Sequence, residues 1–208
     1  MQITAIAYVD LLDWRRSIGE MYAAARADDD PERAWEAWRR RRDALFRDHP
    51  QSPLSDDAKA AFEGLDYFDY DSSMRLEVEL VPHVGGRTEK LYVGNDGTVS
   101  LLPFARTNGL RSRLGGELTL YWIGGYGGGV FLPFLDATSG ATTYPGGRYL
   151  LDSIKGADLG IASDGPTVLD FNFAYNPSCS YSERWVCPLA PVGNRLPEPV
   201  WAGEKSPL

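Results

Sequence analysis

The feature that most constrains this chain is a change of hydrophobic period at Gly64. Before it, apolar residues recur at three- and four-residue steps, as a buried helix stripe requires. After it they alternate, as a half-buried strand requires. In "DLLDWRRSIGEMYAAARADDD" the stripe is Leu11, Trp14, Ile18, Met21, Tyr22 and Ala25. "ADDDPERAWEAW" then marks a break, with an aspartate as N-cap and Pro31 in the first turn of a second helix. Trp35, Trp38, Leu45 and Phe46 form its apolar side, and Pro50 and Pro53 end it. Ser55 is placed to cap a short third helix, stopped by Gly64.

Beyond Gly64, "MRLEVELVP" sets Leu76, Val78 and Leu80 against Arg75, Glu77 and Glu79. "EKLYV" and "TVSLLPF" flank "NDG" at 95–97, a strong hairpin signal. "GGYGGG" joins "ELTLYWI" to "VFLPFLDAT", and "RYLLD" and "TVLDFNFAY" supply two more strands. About seven strands with glycine-rich turns and no crossover helices predict an α+β, mainly β fold. Its core is an antiparallel barrel or sandwich carrying two or three N-terminal helices. The expected organisation is one domain, with a helical segment over 1–63, a β core over 64–176 and a proline-rich coil wrapping the sheet over 177–208.

A chain of 208 residues can bury roughly 70% of its unfolded surface. Its 43% hydrophobic and 24% charged residues are ordinary for a globular protein. A net charge of −8 repels phosphate backbones and anionic surfaces, which argues against nucleic acid as a partner. The run Arg39 to Arg42 reads as a solvated helix face, with Glu36 one turn before Arg40. No stretch approaches the ~18 apolar residues of a membrane helix. "MQITAIAYVDLLDW" lacks a basic leader and carries Asp10 and Asp13, so a cytoplasmic location is the expectation. Cys179 and Cys187 do not match zinc spacing, and in a reducing compartment they are expected as free thiols in or near the core.

Polar residues gather in "DATSGATTYPGGRYLLD", directly after the apolar "VFLPFL", and again in "TVLDFNFAYNP". If the latter is a continuous strand, Asp170, Asn172 and Ala174 share one face and Leu169, Phe171 and Phe173 the other. Two acids, an amide and Arg148 then converge at one end of the sheet. Two readings follow: a ligand site on rigid strands, or an internal hydrogen-bond and salt-bridge network holding loops to the barrel.

The motifs "VFLPFLDATSGATTYPGGRYL" and "LDFNFAYNPSCSYSERWVCPLAPVGNRLPEPVWAGEK" occur in order, preceded by "WRRRRDALFRDHPQSPLSDDAKAAFEGLDYFDYD". Together they resemble the bacterial and archaeal family catalogued as domain of unknown function 1684, over roughly residues 35–205. The family signature falls on Asp136, Thr138, Ser139, Gly140, Thr143, Tyr144, Gly147, Arg148, Tyr149, Asp170, Asn172, Tyr175, Asn176, Cys179, Tyr181, Cys187, Asn194 and Glu204. The resemblance marks positions of interest and implies no activity.

The residues exclude most standard chemistries. His49 and His83 read as surface residues, and Ser139 lacks the flanking glycines of a nucleophile elbow, so a Ser-His-acid triad is not expected. Cys179 and Cys187 read as packing residues, because nothing in the sequence brings a cation to either. Asp136, Asp170, Asn172 and Glu204 offer oxygen ligands without calcium-loop spacing, and no metal is assigned. "GGYGGG" precedes a strand, so it is a hairpin turn and no phosphate loop, and no cofactor is specified. Tyr144, Tyr149, Tyr175 and Tyr181 cluster with the polar signature and favour a pocket.

The leading expectation is therefore a small-molecule binding or enzymatic site of Asp136, Thr138, Ser139, Arg148, Tyr149, Asp170, Asn172, Tyr175 and Asn176. Arg148 would engage an anionic or carbonyl group and Asp170 would act as acceptor or base. The alternative is a non-enzymatic interaction or scaffold module in which the same residues bond only to one another and to loop backbone.

Overall fold

The structure, a computed structural model, describes residues 5–94, 97–162 and 165–207. Helix α1 (Ala5–Ala27) buries Ile18, Met21 and Tyr22. Helix α2 (Pro31–Asp48) begins at Asp30, whose carboxylate accepts from the Glu32 and Arg33 amides. Ser55 caps the short α3 (Asp56–Ala60) by accepting from the Ala58 amide at 3.2 Å. Helices α1 and α2 pack through Trp14 on Phe46 and Tyr22 on Trp38, each with ring centroids 5.9 Å apart.

Seven strands follow: β1 (Arg75–Pro82), β2 (Glu89–Tyr92), β3 (Thr98–Asn108), β4 (Thr119–Ile123), β5 (Gly129–Phe134), β6 (Arg148–Asp152) and β7 (Thr167–Asp170). All pair antiparallel in the order β6-β5-β4-β3-β1-β7, with β2 added to β3. The fold is thus α+β and mainly β, as the change of period predicts. Two of the three residues of the "NDG" hairpin signal, Asn95 and Asp96, lie outside the described residues. One turn of helix between β3 and β4, α4 (Arg111–Leu114), is too short to show a period.

The expected strand "TVLDFNFAY" is corrected. Strand β7 stops at Asp170, a 3₁₀ turn occupies Phe171–Phe173, and the alternation assumed for Asp170, Asn172 and Ala174 does not apply. The turn redirects the chain so that Tyr175 pairs with Tyr149 of β6, through amide-to-carbonyl bonds of 2.8 and 3.0 Å. This pairing brings the two ends of the sheet together, and the result is a nearly closed barrel.

The sheet separates two cores, which explains why β6 is buried along its whole length. Leu120, Leu132 and Phe134 join Leu196 and Val200 on one side. Tyr121, Phe131 and Tyr149 join Ile18, Trp35 and Trp38 under the helices on the other. A strand buried on both faces loses the alternation that marks a half-buried one.

Among its described residues the segment from Pro177 has no strand; it is held by scattered backbone bonds, such as that from the Leu196 amide to the Leu135 carbonyl at 2.8 Å, and by side chains. Asn194, fully buried, accepts from the Thr119 amide at 2.7 Å and donates to the carbonyls of Thr119 and Pro133 at 2.9 and 2.7 Å. It thereby stands in for a strand residue beside β4 and β5. Asn194→Ala is expected to destabilise the protein by about 2 kcal/mol, because backbone groups inside the core lose their partners; chemical denaturation measures this. Among the described residues no helix is long and apolar enough to cross a membrane.

Candidate functional site

Asp136 and Arg148 form a fully buried ion pair at 3.0 Å. The Arg148 Nη1 donates to the carbonyls of Ala202 and Glu204, and Nη2 to the Asp136 carboxylate and the Val200 carbonyl. Only its Nε–H lacks a partner. Asp136 in turn accepts from the Thr138 amide and hydroxyl at 2.8 and 2.6 Å and from the Val200 amide at 3.2 Å. With its own proton on Asp136, the Thr138 hydroxyl accepts from the Thr143 hydroxyl at 2.8 Å, and the Ser139 hydroxyl accepts from the Asp136 amide. Burial pushes the Arg148 guanidinium down from its ordinary value, and Asp136 and Glu204 oppose that shift. This cluster clamps the segment 200–204 and leaves the guanidinium little capacity for an external anion.

Asp170 and Asn172 form a second cluster. The Asp170 carboxylate accepts from both the amide and the side-chain Nδ2 of Asn172, at 3.0 and 2.8 Å. Asn172 exchanges two bonds of 2.9 Å with the Asp71 backbone, and its carbonyl accepts from the Trp35 indole at 2.8 Å. Burial raises the Asp170 carboxyl, with the Asn172 bonds and Arg75 pulling the other way. No hydrogen bond joins this cluster to Asp136 and Arg148, so the expected meeting of both acids, Arg148 and Asn172 at one place is not what the fold makes.

A third cluster lies between the helices and the seam of the barrel. Arg42 of α2 and Glu204 form an ion pair at 3.0 Å with side chains 6% and 2% exposed. The Glu204 Oε2 also accepts from the Asn176 amide at 3.0 Å. The Arg42 guanidinium lies over the rings of Phe46, Tyr175 and Trp38, at 4.7, 5.1 and 5.8 Å. Burial opposes its charge, yet Glu204 and the surrounding tyrosines hold it above its ordinary value. Burial likewise pushes the Tyr22, Tyr67 and Tyr175 hydroxyls up and keeps them protonated.

This third cluster contains a cavity of about 40 Å³, lined among others by Tyr22, Arg42, Tyr149, Tyr175, Asn176 and Lys155, with Trp14, Ile18 and Phe46 as apolar walls. Three buried polar atoms of its lining residues lack partners: the Tyr22 hydroxyl, Arg42 Nε and Asn176 Oδ1. The Trp38 indole lies close enough to Tyr22 to influence its charge, but not in hydrogen-bonding geometry. Buried polar groups without partners are rare, and their concentration around one cavity marks it as a candidate site. Larger depressions, of about 400 Å³ between α1 and α2 and about 570 Å³ beside β3, are open and lack such convergence.

Of the nine sequence-predicted residues, Tyr149, Tyr175 and Asn176 border the cavity. Asp136, Thr138, Ser139 and Arg148 belong to the first cluster, and Asp170 and Asn172 to the second. The sequence reading misses Arg42 and Tyr22. Arg42 is hidden in a run of four arginines expected to be solvated; it is 5% exposed, whereas Arg40 does reach Glu36 at 3.4 Å on the surface. The available signal is its helical spacing from Trp35, Trp38 and Phe46, which puts it on the apolar face. His49, expected at the surface, is also corrected: its side chain is 10% exposed, against the Trp14 ring and 3.4 Å from Asp13. Among the described residues no group of three or more His, Cys, Asp or Glu is placed to hold a metal ion.

Known proteins share this architecture. No curated protein matches the chain. The solution NMR structure of an uncharacterized protein from Haloarcula marismortui is similar, at 33% identity and a TM-score of 0.59, over 84% of this chain and 93% of that one. The sequence profile described as "Protein of unknown function (DUF1684)" matches residues 60–205, which span the barrel and its C-terminal wrap and supply Tyr175, Asn176 and Glu204, while Arg42 and Tyr22 lie before it. The chain therefore belongs to the DUF1684 family.

Proposed function

We propose that the protein binds a small polar molecule in the cavity between α1, α2 and the barrel seam, with Tyr149, Tyr175 and Asn176 joined by Tyr22 and Arg42 as binding residues. The observation that carries this reading is the set of unpartnered buried polar atoms around the cavity. Arg42 Nε–H and the Tyr22 hydroxyl are available to donate, and Asn176 Oδ1 to accept. Glu204 already neutralises Arg42, so a neutral group with both an acceptor and a donor, such as a carboxamide or alcohol, fits better than an anion. A volume of about 40 Å³ admits roughly three water-sized atoms, so the rest of the molecule rests at the rim by Lys155 and Ser178. The second reading, an internal structural network, is favoured for Asp136, Thr138, Ser139, Arg148, Asp170 and Asn172 by their mutual bonds.

Tyr22→Phe separates binding from architecture. A hydroxyl with no protein partner contributes little to folding, so the variant is expected to keep its melting temperature or gain up to about 1 kcal/mol. Native mass spectrometry of gently purified wild type is expected to show a retained small molecule that Tyr22→Phe loses. A wild type without adduct, together with a variant that melts lower, would mean that internal water fills the cavity and that the site is structural.

A further inference from the structure

Another cavity, of about 120 Å³, lies where the end of α1 and the first turns of α2 meet β1 and β7, and it shares no lining residue with the cavity beside Tyr22. Arg75 opens β1 and Asp170 closes β7; the two are register partners on adjacent strands, and both line this cavity. Directly opposed residues of an antiparallel pair project from the same face of the sheet. Arg26, in the last turn of α1, and Asp28, just beyond it, complete the polar wall, and Ala34, Val168 and Phe173 are apolar.

The network around Asn172 engages only one oxygen of Asp170. Oδ1 takes both Asn172 bonds, while Oδ2 accepts no hydrogen bond from the described residues. The Arg75 Nε stands 3.7 Å from Oδ2, too far for a hydrogen bond, although the Asp170 side chain is only 4% exposed. Among the described residues the Arg75 side chain has no hydrogen-bond partner, and Arg26 uses only Nη1, on the Asp158 carbonyl. Asp28, by contrast, is taken: it accepts from Arg33 Nε at 3.1 Å and from the Asp30 amide at 3.0 Å. With Asp28 neutralised by Arg33, the groups left to a guest are two guanidinium groups and one carboxylate oxygen, a surplus of one positive charge. Burial raises the Asp170 carboxyl, so a donor arriving at Oδ2 stabilises an anion that burial disfavours.

We propose that this cavity binds a small 2-hydroxy acid, its carboxylate on the Arg75 and Arg26 guanidinium groups and its hydroxyl donating to Asp170 Oδ2. A guanidinium fork matches a carboxylate. A monoanion cancels the surplus charge, and the one acceptor that lacks a donor gains one. An amino acid brings an ammonium of its own and leaves the surplus in place. Since a cavity of about 150 Å³ holds benzene, this one, of about 120 Å³, takes roughly six non-hydrogen atoms at most. Lactate meets that limit, and its methyl group suits the wall of Ala34, Val168 and Phe173.

The test is calorimetric titration of the full chain with lactate of each hand, with propanoate, which lacks only the hydroxyl, and with alanine, which carries ammonium instead. One lactate enantiomer is expected to bind once per chain, more tightly than alanine and roughly tenfold more tightly than propanoate, as one hydrogen bond to a charged acceptor implies. Asp170→Asn keeps a side-chain oxygen for the two Asn172 bonds and presents an amide in place of Oδ2, so the advantage over propanoate is expected to vanish. Arg75→Gln is expected to weaken lactate and propanoate alike, by roughly tenfold, with the melting temperature little changed. Tyr22→Phe is expected to leave lactate binding as it is, which separates this cavity from the other. No saturable binding of either lactate, equal affinity for propanoate, alanine bound as tightly, an advantage that survives Asp170→Asn, or affinities untouched by Arg75→Gln would each overturn the proposal.

Discussion

Arg148→Met is expected to destabilise the protein by about 3–5 kcal/mol, because it strands Asp136 as an unpaired charge in the core. The same substitution frees the carbonyls of Val200, Ala202 and Glu204 from their shared donor. The segment 200–204 then loses its anchor, and with it the position of Glu204. For a domain of this size the melting temperature should fall by on the order of 10 °C. Arg148→Lys should restore little, since an ammonium has no planar fork to reach a carboxylate and three carbonyls at once. A variant melting like the wild type would show that Asp136 is held by Thr138 and the Val200 amide alone, and the clamp would lose its keystone.

The second large effect is expected at Arg42. Arg42→Met leaves Glu204 buried with only the Asn176 amide, and should also cost about 3–5 kcal/mol. Glu204→Gln on its own leaves Arg42 as an uncompensated cation. The double variant Arg42→Met, Glu204→Gln removes both charges and should recover a substantial part of the loss, because neither partner then remains ionised in the core. Equilibrium denaturation of the four proteins measures the coupling. If the double variant is as unstable as the sum of the singles, the pair is not acting as a unit. Burial raises the Glu204 carboxyl above its ordinary value against the pull of Arg42 and Asn176, so ionising it costs more in the fold than in the unfolded chain; the resulting stability is fully present below about pH 4.5 and is lost as pH rises through the folded value.

The barrel is legible in the sequence because its strands either alternate or carry turn signals, and β1 shows why: Leu76, Val78 and Leu80 face inward while Arg75, Glu77 and Glu79 face water. The helices are legible from their caps at Asp30 and Ser55. The kink after β7 is not. Asp170 accepts from the amide two residues on, a local bond that ends a strand and that alternation cannot show. The site is legible only by halves. Tyr149, Tyr175 and Asn176 stand in the barrel and its exit, but their partners Tyr22 and Arg42 come from helices more than a hundred residues earlier, and no spacing rule spans that separation.

The joint between Tyr149 and Tyr175 has one further consequence. Elsewhere neighbouring strands share a ladder, such as the four residue pairs between β1 and β7, whereas this joint consists of a single residue pair. A cylinder held shut by so narrow a weld is expected to part there first, as hydrogen exchange at the Tyr149 and Tyr175 amides would show, and both residues line the cavity. On the binding reading proposed above, breathing at that line would admit a guest while the laddered strands stay paired.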